Sequence, residues 1–127
     1  MGTGRKFGSR AIAGLLLAAM LLASGPARAD ARTEARSHFR KGMESISNGH
    51  YEEGIGELQR AYEILPHPNV LFNIARAYAE SGDLENAVVF YKKYLEGNPA
   101  DRADVLQVVQ SLDARIRRQQ AALQAAR

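Results

Sequence analysis

The sequence predicts an all-α protein, a helical-hairpin solenoid of two repeats plus a C-terminal capping helix. Three observations carry this. Apolar residues recur at helical spacing through the second half of the chain. The chain matches itself at an offset of 33 residues. Glycine and proline punctuate both copies at the same phase.

Met1 to Arg10 carries Arg5, Lys6 and Arg10 and no acid. An unbroken apolar or small run follows from Ala11 to Ala23, then Ser24, Gly25 and Pro26, which are expected to break the helix, and Ala27-Arg28-Ala29. This is the layout of a secretory signal peptide over residues 1–29, with cleavage between Ala29 and Asp30. The expected location is therefore outside the cytoplasm, in the periplasm or cell envelope, as a secreted protein. A retained anchor is the alternative, but a run of 13 residues is short for a span needing about 20. No cysteine is present to carry a lipid or a disulfide.

Removing the leader changes the charge argument. Arg5, Lys6, Arg10 and Arg28 leave with it and no acid does, so 17 basic residues fall to 13 against 14 acidic ones. The basic isoelectric point belongs largely to the leader, and nucleic acid is not expected as a partner. Residues 30–127 must be held by apolar packing, for which this length is adequate but not generous.

Residues 30–100 are read as two repeats, about 35–67 and 68–100. At the offset of 33 residues Gly42 falls on Ala75, Gly49 on Gly82, Gly54 on Ala87, Leu58 on Tyr91, Ala61 on Tyr94 and Pro66 on Pro99. In the second copy Leu71, Ile74, Ala75 and Tyr78 form one helical stripe. Gly82 ends that helix in a left-handed conformation, Asp83 caps the next, and Ala87, Val88, Tyr91 and Leu95 form the partner stripe. The small Ala75 and Ala87 let two helix backbones approach closely. In the first copy the second helix has Tyr51, Ile55, Leu58 and Ala61. Its Gly54, in place of alanine, is expected to loosen the hairpin. The first helix puts His38, Lys41 and Ser45 where large apolar residues are expected. Its stripe is shifted to Phe39, Gly42, Met43 and Ile46, through a register slip in the turn or a modified end cap.

These residues resemble the tetratricopeptide pattern: Leu71, Ile74, Ala75 and Tyr78, then Gly82, Ala87, Tyr91 and Pro99, with Gly42, Gly49, Ala61 and Pro66 as the earlier counterparts. The resemblance implies an α-helical solenoid scaffold whose concave groove, lined by the first helix of each hairpin, binds a peptide or protein.

Residues 101–127 are read as one helix. Asp101 is its expected N-cap, and Val105, Val109, Leu112, Ile116 and Leu123 are its stripe. It covers the open end of the second repeat as solenoids require; a short coiled-coil dimer seam is the alternative. Gln119 to Arg127 is expected to fray. The basic cluster Arg115, Arg117 and Arg118 reads as solvated surface, with contact to anionic lipid or an acidic partner as the alternative.

The three histidines, His38, His50 and His67, have no acidic pair or thiol beside them, so no metal site is expected. Gly54-x-Gly56 lies inside a helix and is no dinucleotide fingerprint. No catalytic constellation, cofactor or enzyme activity is expected. The groove candidates are Arg36, Phe39 and Met43 in the first hairpin and Asn69, Phe72 and Arg76 in the second. The expected partner is a protein or peptide, with no integral membrane segment once the leader is removed. The competing class is a structural subunit of an envelope assembly, or a homodimer through the C-terminal helix.

Overall fold

The computed structural model describes Gly2 and residues 25–127. The basic and apolar parts of the expected leader lie outside the described residues. The described residues form five helices: α1 (Gly25–Ser47), α2 (Tyr51–Ile64), α3 (Pro68–Ser81), α4 (Leu84–Glu96) and α5 (Arg102–Ala125). Each packs on the next, α1 with α2, α2 with α3, α3 with α4 and α4 with α5. Short turns between them make neighbours antiparallel, so the fold is the expected all-α pair of hairpins with a capping helix.

Both turns inside the hairpins are built alike. Gly49 has φ +80° and Gly82 φ +90°, a region where a Cβ is disfavoured. His50 N–H then donates to Ser45 O at 2.8 Å, and Asp83 N–H to Tyr78 O at 3.0 Å, satisfying carbonyls at the helix ends. Asp83 caps α4 by accepting from Asn86 N–H at 3.1 Å. After α4 the left-handed residue is Asn98, with φ +49°, and Pro99 follows it into the turn.

The core has two clusters that share α3. One joins α1, α2 and α3 through Ile46, Ile55, Leu58, Ala61, Val70, Ile74 and Ala77. The other joins α3, α4 and α5 through Ala75, Leu84, Ala87, Val88, Tyr91, Leu95, Val105, Val109 and Leu112. Tyr78 and Phe90 pack against both. No polar or charged residue is buried among the described residues.

Several expectations are corrected. Gly25 and Pro26 lie in the first turn of α1, where proline is tolerated because its missing N–H would have no partner; the helix they are expected to break lies outside the described residues. Helix α1 thus begins about ten residues before the expected start of the first repeat. Gly54 does not loosen its hairpin. A Cβ built there would sit 2.6 Å from Ile46 Cγ1 and 2.7 Å from Gly42 O, and one built at Gly42 would sit 2.8 Å from Gly54 O. The two glycines put the backbones of α1 and α2 in contact. Asp101 stands at the N-cap of α5 but makes no side-chain cap bond; its Oδ1 accepts from Tyr94 Oη–H at 2.8 Å instead. The C-terminal segment is helical to Ala125, in keeping with its Ala, Gln, Leu and Arg, all good helix formers, and every residue from Gln119 on is exposed. Val105, Val109 and Leu112 are buried against the second cluster. They serve the capping role and are not free to form a dimer seam.

Candidate functional site

The groove candidates divide into two groups. Arg36, Phe39 and Asn69 come together. With Arg32, Leu65 and His67 they line an open cavity of about 500 Å³ between α1 and the α2–α3 turn, floored by buried Ala35, Ala61 and Val70. Arg32, Arg36 and Phe39 share a face of α1 because they are spaced by four and three residues. Asn69 reaches the site because α3 starts beside it. His67 is the N-cap of α3, its Nδ1 accepting from Asn69 N–H at 3.1 Å, and Pro68 fills the first helical position.

The second group is drawn into the fold. Phe72 is half-buried and packs edge-on against Tyr91 and Tyr94, with ring centroids 5.6 and 5.4 Å away. Its apolar ring finds aromatic partners one helix away, so it braces α3 on α4 and is not a free anchor. Met43 is likewise half-buried against the first cluster. Arg76 is exposed, but its Nε donates to Glu80 Oε1 at 3.1 Å one turn along. A partner's carboxylate would have to compete with Glu80. Asn73 donates to Asn69 O at 2.8 Å, bracing the first turn of its own helix rather than the contact between helices.

Sequence reasoning missed one cross-helix pair. His38 Nδ1 hydrogen-bonds Glu57 Oε2 between α1 and α2, with Glu34 one turn away on the other ring nitrogen. At the 33-residue offset His38 matches Leu71 and Glu57 matches Phe90. Both partners therefore turn polar together in the first copy, and that joint change is the signal that marks them as a pair.

Two phenols are shifted. Burial pushes the Tyr91 hydroxyl above the ordinary tyrosine value, against a smaller lowering by the Arg76 charge. The hydrogen bond to Asp101 raises Tyr94, with burial and the Asp101 charge adding to it. Neither lines the cavity. Among the described residues no three His, Asp or Glu side chains cluster closely enough to hold a metal ion, and no helix is long and apolar enough to cross a membrane. The basic cluster on α5 holds to the solvated reading in part: Arg115, Arg117 and Arg118 are all exposed.

Stacked antiparallel hairpins of one period, with a cavity on the side of their first helices, define a helical-hairpin repeat protein of the interaction type. The family model described as "Tetratricopeptide repeat" matches residues 68–101. The Photosystem I assembly protein Ycf3 of Rippkaea orientalis (strain PCC 8801 / RF-1) is 31% identical over 88 residues, covering 66% of this chain and 50% of the relative. The chain spans about half the length of that curated relative. Residues 68–101 carry the similarity to the tetratricopeptide-repeat family. Pro68, the first residue of the matched repeat, is also the first residue of α3.

Proposed function

We propose that this chain is an adaptor that holds a protein or peptide in the groove between the first helices of its hairpins and serves the assembly of a protein complex. The observation that carries the reading is the cavity itself. Arg36, Phe39 and Asn69 come from two different hairpins and share one open depression of about 500 Å³. The similarity to a photosystem assembly protein supports the assembly role. No catalytic step is assigned. The order of basic, apolar and Ala-x-Ala segments supports export with cleavage after Ala29; an exported form whose N-terminal sequencing does not start at Asp30 would overturn that part. The homodimer reading is weakened, since Val105, Val109 and Leu112 of its stripe pack into the second cluster and Leu123 alone is largely exposed.

The groove is tested by site-specific photocrosslinking in cells. A benzophenone side chain placed at Asn69 or Arg76, both exposed on α3, is expected to trap one and the same protein. The same group at Glu85 or Lys92, exposed on α4, is expected to trap none. Trapping from α4 alone would assign binding to the outer face.

A further inference from the structure

The cavity between α1 and the α2–α3 turn has a chemical character that groove geometry alone does not explain. Its walls are apolar, with Phe39 half-buried and Leu65 left 42% exposed although it is a large aliphatic residue. Its charge has one sign. Arg32 and Arg36 lie one turn apart on α1 and no acidic side chain lines the site. Arg60 is answered by Glu63 and Arg76 by Glu80, while most of the described arginines, Arg32 and Arg36 included, stand without an ion pair. His67 adds a donor, because its Nδ1 accepts from the Asn69 amide and its proton therefore sits on Nε2.

We propose that this cavity takes an internal acidic–aliphatic segment of a protein partner. An aliphatic side chain rests on Phe39 and Leu65, and a carboxylate beside it is held by the Arg32 and Arg36 guanidinium groups. This rests on the groove reading and names the chemistry of its occupant. Guanidinium–carboxylate hydrogen bonds are charge-assisted and about twice as strong as neutral ones. The apolar wall beside them lowers the local dielectric and strengthens the attraction further. The volume falls within the range of roughly 300–1,000 Å³ found for ligand sites. It is larger than one side chain requires, so a short stretch of chain can enter. The pair Arg32 and Arg36 also explains why an acid is selected over an amide, which has no charge to offer.

The test uses the full chain and fluorescence anisotropy. The probe is a labelled hexapeptide blocked at both ends and alternating leucine with aspartate. Its comparators carry asparagine for aspartate, or serine for leucine. The blocked acidic peptide is expected to bind at least tenfold tighter than either comparator, with affinity falling as salt rises. Arg32→Gln with Arg36→Gln is expected to remove the preference for aspartate over asparagine; both residues are exposed, and an unchanged helical circular dichroism spectrum confirms the fold. Leu65→Ser is expected to weaken the acidic peptide while keeping its preference over the asparagine form. Equal binding of the aspartate and asparagine peptides, no binding of either, or a preference untouched by the double variant overturns the proposal. So does binding only when the peptide carries a free C-terminal carboxylate. If crosslinks from Asn69 and Arg76 persist under any of those outcomes, the groove stands and only the chemistry assigned to its occupant is wrong.

Discussion

Gly54→Ala and Gly56→Ala are expected to move stability in opposite directions, although they sit two residues apart in one helix. Alanine is favoured over glycine in a helix interior by about 1 kcal/mol. At Gly56 nothing lies within 4 Å of the added Cβ, so that gain is kept and the variant is stabilised by up to about 1 kcal/mol. At Gly54 the added carbon meets Ile46 Cγ1 at 2.6 Å, Gly42 O at 2.7 Å and Ile46 N at 3.0 Å. Two of these are backbone atoms and the third belongs to a β-branched side chain with one strongly preferred rotamer in a helix. None can swing aside, so α1 and α2 must part. Overpacking a core costs roughly 1–3 kcal/mol, and this site belongs at the upper end of that range. Subtracting the helix gain leaves a net loss of about 1–2 kcal/mol. The two variants should then differ by about 2–3 kcal/mol. With a urea dependence of about 1–3 kcal/mol per molar, their midpoints separate by about 1 M or more. Urea unfolding followed by circular dichroism reads this directly. If Gly54→Ala is as stabilising as Gly56→Ala, the backbones of α1 and α2 are not in contact and the first hairpin is looser than described.

Three further outcomes are expected. Ala87→Leu places a large side chain where none of the residue is exposed, and its denaturation midpoint should fall by the equivalent of about 1–3 kcal/mol. His67→Ala should lose about 1 kcal/mol in the same assay through loss of the α3 cap, and His67→Asn should restore most of it. Tyr91 and Tyr94 both have raised values in the fold, so the folded chain keeps its phenolic protons where the unfolded chain releases them. Their contribution is fully present below the ordinary tyrosine value of 10 and is lost as pH rises through the folded values. Alkaline absorbance titration should show late phenols, and Asp101→Asn should bring one of them back toward 10.

The fold was legible because repeats make small errors visible. Gly49 and Gly82 recur at one phase, and both take the left-handed conformation that the turn requires. The shifted stripe of α1 was also readable, since Phe39, Gly42, Met43 and Ile46 all face the first cluster. What could not be read was which neighbour a residue would find. Gly54 looks like a weakness until Gly42 is known to lie opposite it. Phe72 has the spacing of a groove residue, yet Tyr91 and Tyr94 offer it a better surface than water. Asp101 has the right position for a cap but prefers the Tyr94 hydroxyl. The candidate site was half legible for the same reason. Helical spacing marked Arg36, Phe39 and Asn69, but Leu65 and His67 lie in the α2–α3 turn, where no periodicity points to them.

Helix α3 is covered from both sides, since Ile74 belongs to one cluster and Ala75, the next residue, to the other. Neither half of the molecule can come apart without stripping one flank of this helix. Local opening should therefore begin at α1 or α5, each held along one flank, and advance inward. Backbone amides of α3 should exchange their protons last, at a rate set by unfolding of the whole chain. A partner seated in the cavity against Asn69 at the start of α3 would then be sensed by both hairpins. Protection gained on binding should extend into α4, beyond any residue the partner touches.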